Sequence, residues 1–309
     1  MPGCWFCYKD AGERDYHPHC AKRFFGQPAI PELILNDQLL KELAEKTVNQ
    51  RIAVTGVQPK LSITLEKVKG GGQRLTIVGL WGEYILKPRQ ERYPFITEIE
   101  DLTMHLAAVF DLRVCEHTLM KATDGSLVYV AKRFDRAKDR KIHMEDFCQL
   151  SEFPTENKYK GSYERAGKLI LTHCTNKGFD ALSYFELILF SWLTGNNDMH
   201  LKNFSLLYTG REIALSPAYD LLNVMLVNPK DKEELALTLN GKKMRIQKKD
   251  FIVLARSLNI PGKAIENSFS RFAARNAEII DLIDRSFLGA KEKETYKEIW
   301  LSKQKLLSE

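Results

Sequence analysis

The sequence predicts an α+β protein of two lobes, and three observations predict it. Strand-like runs cluster between residues 60 and 134, and helical periodicity takes over beyond about residue 140. A short segment rich in Cys and His stands apart at the start. The expected organisation is a Cys/His knuckle over 1–25, a strand-rich N-lobe over 26–135 and a helical C-lobe over 136–309.

Each element rests on its own pattern. Residues 60–65 (Lys-Leu-Ser-Ile-Thr-Leu) alternate polar and apolar, the period of a half-buried strand. Gly70-Gly71-Gly72 marks a turn, and residues 75–78 read as the returning strand. A third strand covers 84–87 and is ended by Pro88. Between 96 and 110 the period changes, with Ile96, Ile99, Leu106 and Phe110 at helical spacing. Strands are expected again at 116–120 and 127–134, joined through Thr123-Asp124-Gly125. In the second half, residues 182–193 form a strongly apolar helix and 264–288 carry one long amphipathic pattern.

Bulk properties narrow the class. With 309 residues, 44% hydrophobic and 28% charged, the chain has the composition of an ordinary globular protein and can bury a large core. No apolar run reaches the roughly 18 residues that span a bilayer. The opening MPGCWFCYKD has neither the basic end nor the apolar centre of a signal peptide, so a cytoplasmic location is expected. Six cysteines then read as thiols or metal ligands, not a disulfide framework. A net charge of +6, concentrated at residues 242–249, reads as a solvated basic surface and does not make the chain a nucleic-acid binder.

The stretch 195–204 (Gly-Asn-Asn-Asp-Met-His-Leu-Lys-Asn-Phe) carries the chemistry. Asp198 and Asn203 are spaced as the Asp and Asn of a protein-kinase catalytic loop. A carboxylate there accepts the proton of an attacking hydroxyl, and an amide oxygen beside it holds magnesium without adding a second charge. Asp220 lies downstream, where a second metal-binding carboxylate belongs. Upstream, Lys87 ends an apolar strand and offers a point charge to ATP phosphates, with Glu98 or Glu100 as its helix-borne partner. Thr55-Gly56-Val57-Gln58-Pro59-Lys60 precedes the first strand and can cover phosphates with backbone N–H groups, although its single glycine fits neither a Walker A nor a G-x-G-x-x-G loop. Each element has an ordinary structural explanation alone, such as a helix cap for Asp198 or Asp220. The ordered set does not.

These motifs, with Lys132-Arg133-Phe134-Asp135-Arg136, Glu145-Asp146-Phe147-Cys148-Gln149 and Ser216-Pro217-Ala218-Tyr219-Asp220, resemble the HipA-like serine/threonine-protein kinase toxins from about residue 50 to 290. The resemblance implies a two-lobed, HipA-type kinase fold using ATP and Mg2+. It makes Asp198 the catalytic aspartate and Asn203 and Asp220 the magnesium ligands. Lys87 is then the phosphate-binding lysine, and residues 55–60 lie over the phosphates. Lys132, Arg133 and Phe134 would hold adenine, with Asp135 near the ribose and His200, Lys202 and Tyr219 beside the nucleotide. Relatives act on aminoacyl-tRNA synthetases, so a translation factor is the implied substrate.

Two departures matter. The phosphate loop comes too early for the extra N-terminal subdomain of better-known members, which matches the short, HipT-like form. That form implies a small antitoxin supplying the missing subdomain, alongside a helix-turn-helix repressor, with DNA only indirect. Relatives also autophosphorylate a serine before the loop glycine, and here only Thr55 can play that part. Phosphate there would add close to two negative charges beside those of ATP. Two rival functions remain: a catalytically weak kinase-fold protein that binds an operon repressor, and a small-molecule kinase.

Cys4-x2-Cys7 followed by His17-x2-Cys20 has the spacing of a small Cys3His zinc knuckle, with His19 as the alternative to His17. So short a segment has too little core to fold unaided. Cys115, Cys148 and Cys174 are isolated and read as core residues.

Overall fold

The alternating runs of the first half pair into one sheet. The computed structural model describes residues 3–34, 60–68, 72–78, 81–137 and 140–308. Thr55, Gly56, Val57, Gln58 and Pro59 of the expected phosphate loop lie outside them, as do Gly70 and Gly71. The chain divides into two units, one of Met1–Asp101, Cys115–Arg133 and Arg285–Phe287, the other of Leu102–Val114, Phe134–Asp284 and Leu288–Glu309. Its architecture is α+β.

In the first unit, helix α1 (Pro18–Phe25) precedes strands β1 (Glu32–Leu33), β2 (Leu61–Lys67), β3 (Gln73–Val78), β4 (Tyr84–Lys87), β5 (His117–Lys121) and β6 (Leu127–Lys132). They form a sheet of order β1-β3-β2-β4-β6-β5, antiparallel except for the β1–β3 pair. Ile63, Leu86, Leu119, Val128 and Val130 are fully buried, as alternation requires of a core face. Register places Lys87 opposite Tyr129 at the end of β4. The last strand stops at Lys132, short of the expected Phe134, because the chain enters a turn at Phe134 and Asp135 just after the Arg133 N–H makes the last bond to the carbonyl of Glu83. Gly125 takes a φ of 85° in the turn joining β5 to β6, a conformation that favours glycine.

Helix α2 (Ile96–Val109) follows β4. Ile99, Glu100, Asp101, Leu102, Thr103 and Met104 are six successive buried residues, so this helix has no solvent stripe over its middle.

The second unit holds a three-stranded sheet, β9 (His143–Asp146), β10 (Ser205–Thr209) and β11 (Glu212–Leu215), with β10 central, and a small β7 (Arg136–Ala137)–β8 (Arg140–Lys141) ribbon. Its helices are α3 (Phe147–Leu150), α4 (Tyr163–His173), α5 (Lys177–Leu193), α6 (Val224–Val227), α7 (Lys248–Ser257), α8 (Gly262–Ala274), α9 (Asn276–Arg285) and α10 (Ala290–Ser308). Helix α5 is the axis of the core, and every residue from Tyr184 to Leu193 is buried. Phe110 stacks on Phe272 of α8 at 4.2 Å between centroids and packs near Trp300 of α10. The long pattern at 264–288 proves to be two helices, α8 and α9, parted at Arg275, with buried apolar residues on both sides of the break. Cys115, Cys148 and Cys174 are buried, as expected of core thiols. Among the described residues, no helix is long and apolar enough to cross a membrane.

Candidate active site

Helix α5 ends where the Asp198 loop begins. The hydroxyls of Ser191 and Thr194 donate to the carbonyls of Leu187 and Phe190, occupying acceptors near the helix end. Gly195 then turns the chain with a φ of 69°, and a Cβ there would stand 3.0 Å from Asn223 Oδ1 and 3.1 Å from Met225. The left-handed φ favours glycine, and any larger residue would also crowd Asn223 and Met225.

The polar residues after it lock the loop. The Asp198 N–H donates to Asn196 Oδ1 at 3.3 Å, and Asn197 Nδ2 donates to the Glu233 carbonyl at 2.7 Å. The Asp198 carbonyl accepts from the His200 N–H at 2.8 Å and from Asn203 Nδ2 at 2.9 Å. Spending its NH2 on Asp198 leaves Asn203 its Oδ1 as the atom for a cation. Lys202 is held by Asp146, Nζ to Oδ2 at 2.6 Å. The hydroxyl of Tyr159 donates to Asp198 Oδ1 at 2.7 Å, and its ring meets the His200 ring edge-on at 4.9 Å. Burial, followed by the Asp198 charge, pushes the Tyr159 hydroxyl well above its ordinary pKa, so it stays a donor at neutral pH.

The Asp220 segment runs beside this loop. The Ser216 N–H donates to the Ser205 carbonyl at 2.9 Å, and the Tyr219 hydroxyl donates to the Lys202 carbonyl at 2.9 Å while meeting Ser205 Oγ at 2.6 Å. Asp220 takes a φ of 60°, a left-handed conformation that Asp tolerates better than most residues. Phe134 lies against the Tyr219 ring at 5.7 Å between centroids. Thus Asp198, His200, Lys202, Asn203, Tyr219, Asp220 and Phe134 share one neighbourhood of the second unit. Asp135, in the same unit, is buried, and its Oδ2 accepts from Arg136 at 2.5 Å.

In the first unit Lys87 and Glu100 form an ion pair at 2.5 Å, both nearly inaccessible, with the ammonium 5.5 Å from the centre of the Tyr129 ring. Of the two candidate partners, it is Glu100 and not Glu98 that meets Lys87. Glu98 instead accepts from Thr97 Oγ1 at 2.7 Å, and burial raises its pKa. Lys132 reaches Glu116 at 3.5 Å, Arg133 follows it, and Lys60 is exposed just before β2.

Near the start, one ligand atom each from Cys4, Cys7, His17 and Cys20 lies within 4.8 Å of the others. His17, not the exposed His19, joins the cluster. Burial opposes every thiolate here; at Cys4 the backbone N–H groups of His17, Phe6 and Cys7 outweigh it, whereas Cys7 is raised and Cys20 is pushed up to about 12.

Two residues escaped sequence reasoning. Tyr159 sits 39 positions before its partner in a polar stretch without periodicity. Asp146 lay inside a recognised motif, but its pairing with Lys202 follows from β9 lying beside β10, a register no local pattern encodes.

Residues 52–280 match the family model of the HipA-like C-terminal domain. Candidate kinase Y4dM of Sinorhizobium fredii is 31% identical over 229 residues, 70% of this chain and 56% of that protein. A candidate kinase of Haemophilus influenzae is 32% identical over 188 residues, 57% of this chain and 53% of that one. The chain therefore spans about half the length of these curated relatives. Among solved structures, HipA of Shewanella oneidensis, determined with HipB and operator DNA, superposes with a TM-score of 0.68 at 22% identity, covering 85% of this chain and 70% of HipA. The Helicobacter pylori kinase CtkA gives 0.53 at 17% identity, covering 80% and 94%. The fold is thus that of the HipA and CtkA kinases, and the chain belongs to the HipA-like C-terminal domain family.

Proposed function

We propose that this chain is an ATP- and magnesium-dependent protein serine/threonine kinase, the toxin of a bacterial toxin–antitoxin system. The observation that carries the proposal is the Asp198–Asn203 loop. There an amide donates to the backbone of the aspartate five residues before it, which leaves the amide oxygen for a cation beside the Asp198 carboxylate. Family membership and the kinase names of relatives support the same reading.

The donor set fits magnesium. Asp198, Asn203 and Asp220 offer only oxygen, which suits a hard cation, and Asn203 and Asp220 would hold it. Once bound, the ion neutralises charge on the phosphate oxygens. Asp198 takes the proton of a serine or threonine hydroxyl as its oxygen bonds to the γ-phosphorus. The bond from that phosphorus to the bridging oxygen breaks, and ADP departs with the electron pair. Lys87, fixed by Glu100, supplies positive charge to the phosphates, and Lys202, fixed by Asp146, adds another. Lys132, Arg133, Phe134 and Asp135 hold the nucleoside, with His200 and Tyr219 alongside it. By resemblance, residues 55–60 are the proposed phosphate loop and Thr55 the proposed autophosphorylation site.

The protein substrate in this reading is a translation factor, an aminoacyl-tRNA synthetase by family analogy. A helix-turn-helix repressor is the operon partner, as HipB accompanies the Shewanella HipA. A small antitoxin is a second proposed partner, and the proposed setting is the cytoplasm. The test is transfer of label from γ-labelled ATP into protein in a bacterial extract, comparing the intact chain with Asp198→Ala. Labelled protein bands with the intact chain alone are expected; labelled small molecules alone would overturn the reading.

A further inference from the structure

Three thiols and an imidazole converge at the start of the chain. A protein zinc ion has bonds of about 2.3 Å to sulfur and 2.0–2.1 Å to nitrogen, so neighbouring ligand atoms around it stand roughly 3.5–3.8 Å apart. Cys7 Sγ lies 3.5 Å and Cys20 Sγ 3.7 Å from His17 Nδ1, which are those spacings. Ordinary hydrogen bonding cannot account for both contacts, because a neutral imidazole nitrogen has one lone pair and can accept from one thiol only. The other nitrogen of the ring is committed elsewhere. His17 Nε2 lies 2.8 Å from the Asp10 carbonyl, which can only accept, so Nε2 carries the hydrogen and the Nδ1 lone pair faces the sulfurs. All four side chains come from one tight fold: the Cys4 N–H donates to the Lys9 carbonyl, the Tyr8 N–H returns to the Cys4 carbonyl, and α1 places Cys20 one turn after His17.

What surrounds the cluster gives it a task. Tyr8, next to Cys7, takes a φ of 59° and sends its hydroxyl to Asp101 Oδ2 at 2.7 Å. Asp101 Oδ1 meets His117 Nδ1 at 2.7 Å. Thr118 Oγ1 donates to the Trp5 carbonyl at 3.1 Å, and the Tyr16 hydroxyl donates to the Leu119 carbonyl. The segment therefore grips β5 and the first half of α2 at residues flanking the cluster. Asp101 follows Glu100, the partner of Lys87.

We propose that Cys4, Cys7, His17 and Cys20 form a closed structural site for one zinc ion, which clamps the 3–25 segment onto β5 and, through Tyr8 and Asp101, steadies the turn of α2 that presents Glu100. Four protein ligands leave no open position, so the ion holds shape and performs no chemistry.

Elemental analysis of the full chain, purified under reducing conditions with zinc supplied, tests the site. About one zinc per chain is expected. His17→Ala should lower the content at least about tenfold while His19→Ala keeps it. Should the ligand variant fail to fold, cobalt titration of the chelator-stripped native chain serves instead, with thiolate-to-cobalt charge-transfer bands and tetrahedral d–d absorption expected. Hydrogen exchange reads the clamp: chelation should speed exchange of amides 97–101 and 117–119, with little change in α8. A chain that holds neither metal under reducing conditions, or a His19→Ala variant that loses zinc as His17→Ala does, overturns the site. Unchanged exchange at 97–101 after zinc removal overturns the clamp. Neither readout needs ATP or a protein substrate.

Discussion

Tyr159 donates its hydroxyl to Oδ1 of Asp198 at 2.7 Å, the carboxylate to which a substrate hydroxyl would deliver its proton. On the proposed mechanism the tyrosine and the substrate hydroxyl would compete for this carboxylate. Tyr159→Phe should raise kcat/KM for a protein substrate by up to about tenfold, the value of roughly 1.4 kcal/mol of hydrogen bond to a charged group. The KM for ATP should not move. Steady-state kinetics with both substrates varied would settle it, and a fall in kcat/KM for protein would show that Tyr159 positions Asp198 instead.

Asp198→Ala should lower phosphoryl transfer by roughly 10²–10⁴-fold, the usual worth of a positioned base, while ATP still binds. Asp220→Ala should act the other way, weakening nucleotide binding in magnesium more than in its absence. Equilibrium binding of a fluorescent ATP analogue, with and without magnesium, separates the two. Wild-type transfer in both variants would refute the assignments.

Asp146 has two duties that one substitution separates. Its Oδ1 caps α3 by accepting the Gln149 N–H at 2.9 Å, and its Oδ2 holds Lys202. Asn caps helices about as well as Asp, so Asp146→Asn should cost less than about 0.5 kcal/mol of stability. Freed from its counter-charge, Lys202 should lose its fixed position, and the KM for ATP should rise several-fold. Thermal melts and ATP kinetics on the same preparation check both halves.

Glu98 and Glu100 should respond differently. Removing one member of a buried ion pair costs about 3–5 kcal/mol, so Glu100→Gln should destabilise the first unit strongly. Glu98 is raised by burial, so its folded pKa exceeds its unfolded one. Its contribution to stability is therefore present below the usual carboxylate range and lost as pH rises through the folded value. Glu98→Gln should flatten that loss, giving a smaller fall in melting temperature between about pH 4 and pH 7 than the native chain shows.

The first long strands of the sheet were legible because more and less buried positions alternate along them, as around Leu61, Ile63 and Leu86, whereas β5 buries four residues in a row. The Asp198 loop was legible because its chemistry sits in six consecutive positions. Pairings across distance were not. Helix α2 is buried over consecutive turns, so no apolar stripe says whether Glu98 or Glu100 faces β4. The break at Arg275 was invisible because neither Gly nor Pro marks it and the apolar rhythm passes straight through.

Trp192, three positions before Gly195, donates its indole N–H to Glu234 at 2.8 Å, and Lys303 of α10 pairs with the same carboxylate while lying 4.9 Å from the indole ring. The base of the Asp198 loop is therefore braced by a helix that leaves the ribosome long after Asp198 and Asp220 do. During synthesis all the reactive groups would be outside the exit tunnel while Glu234 and Trp192 still awaited Lys303. A nascent chain, or one stopped before α10, would carry Asp198, Asn203 and Asp220 without the Lys303 contact behind their loop, so the loop gains its last support only when α10 has been made and packed.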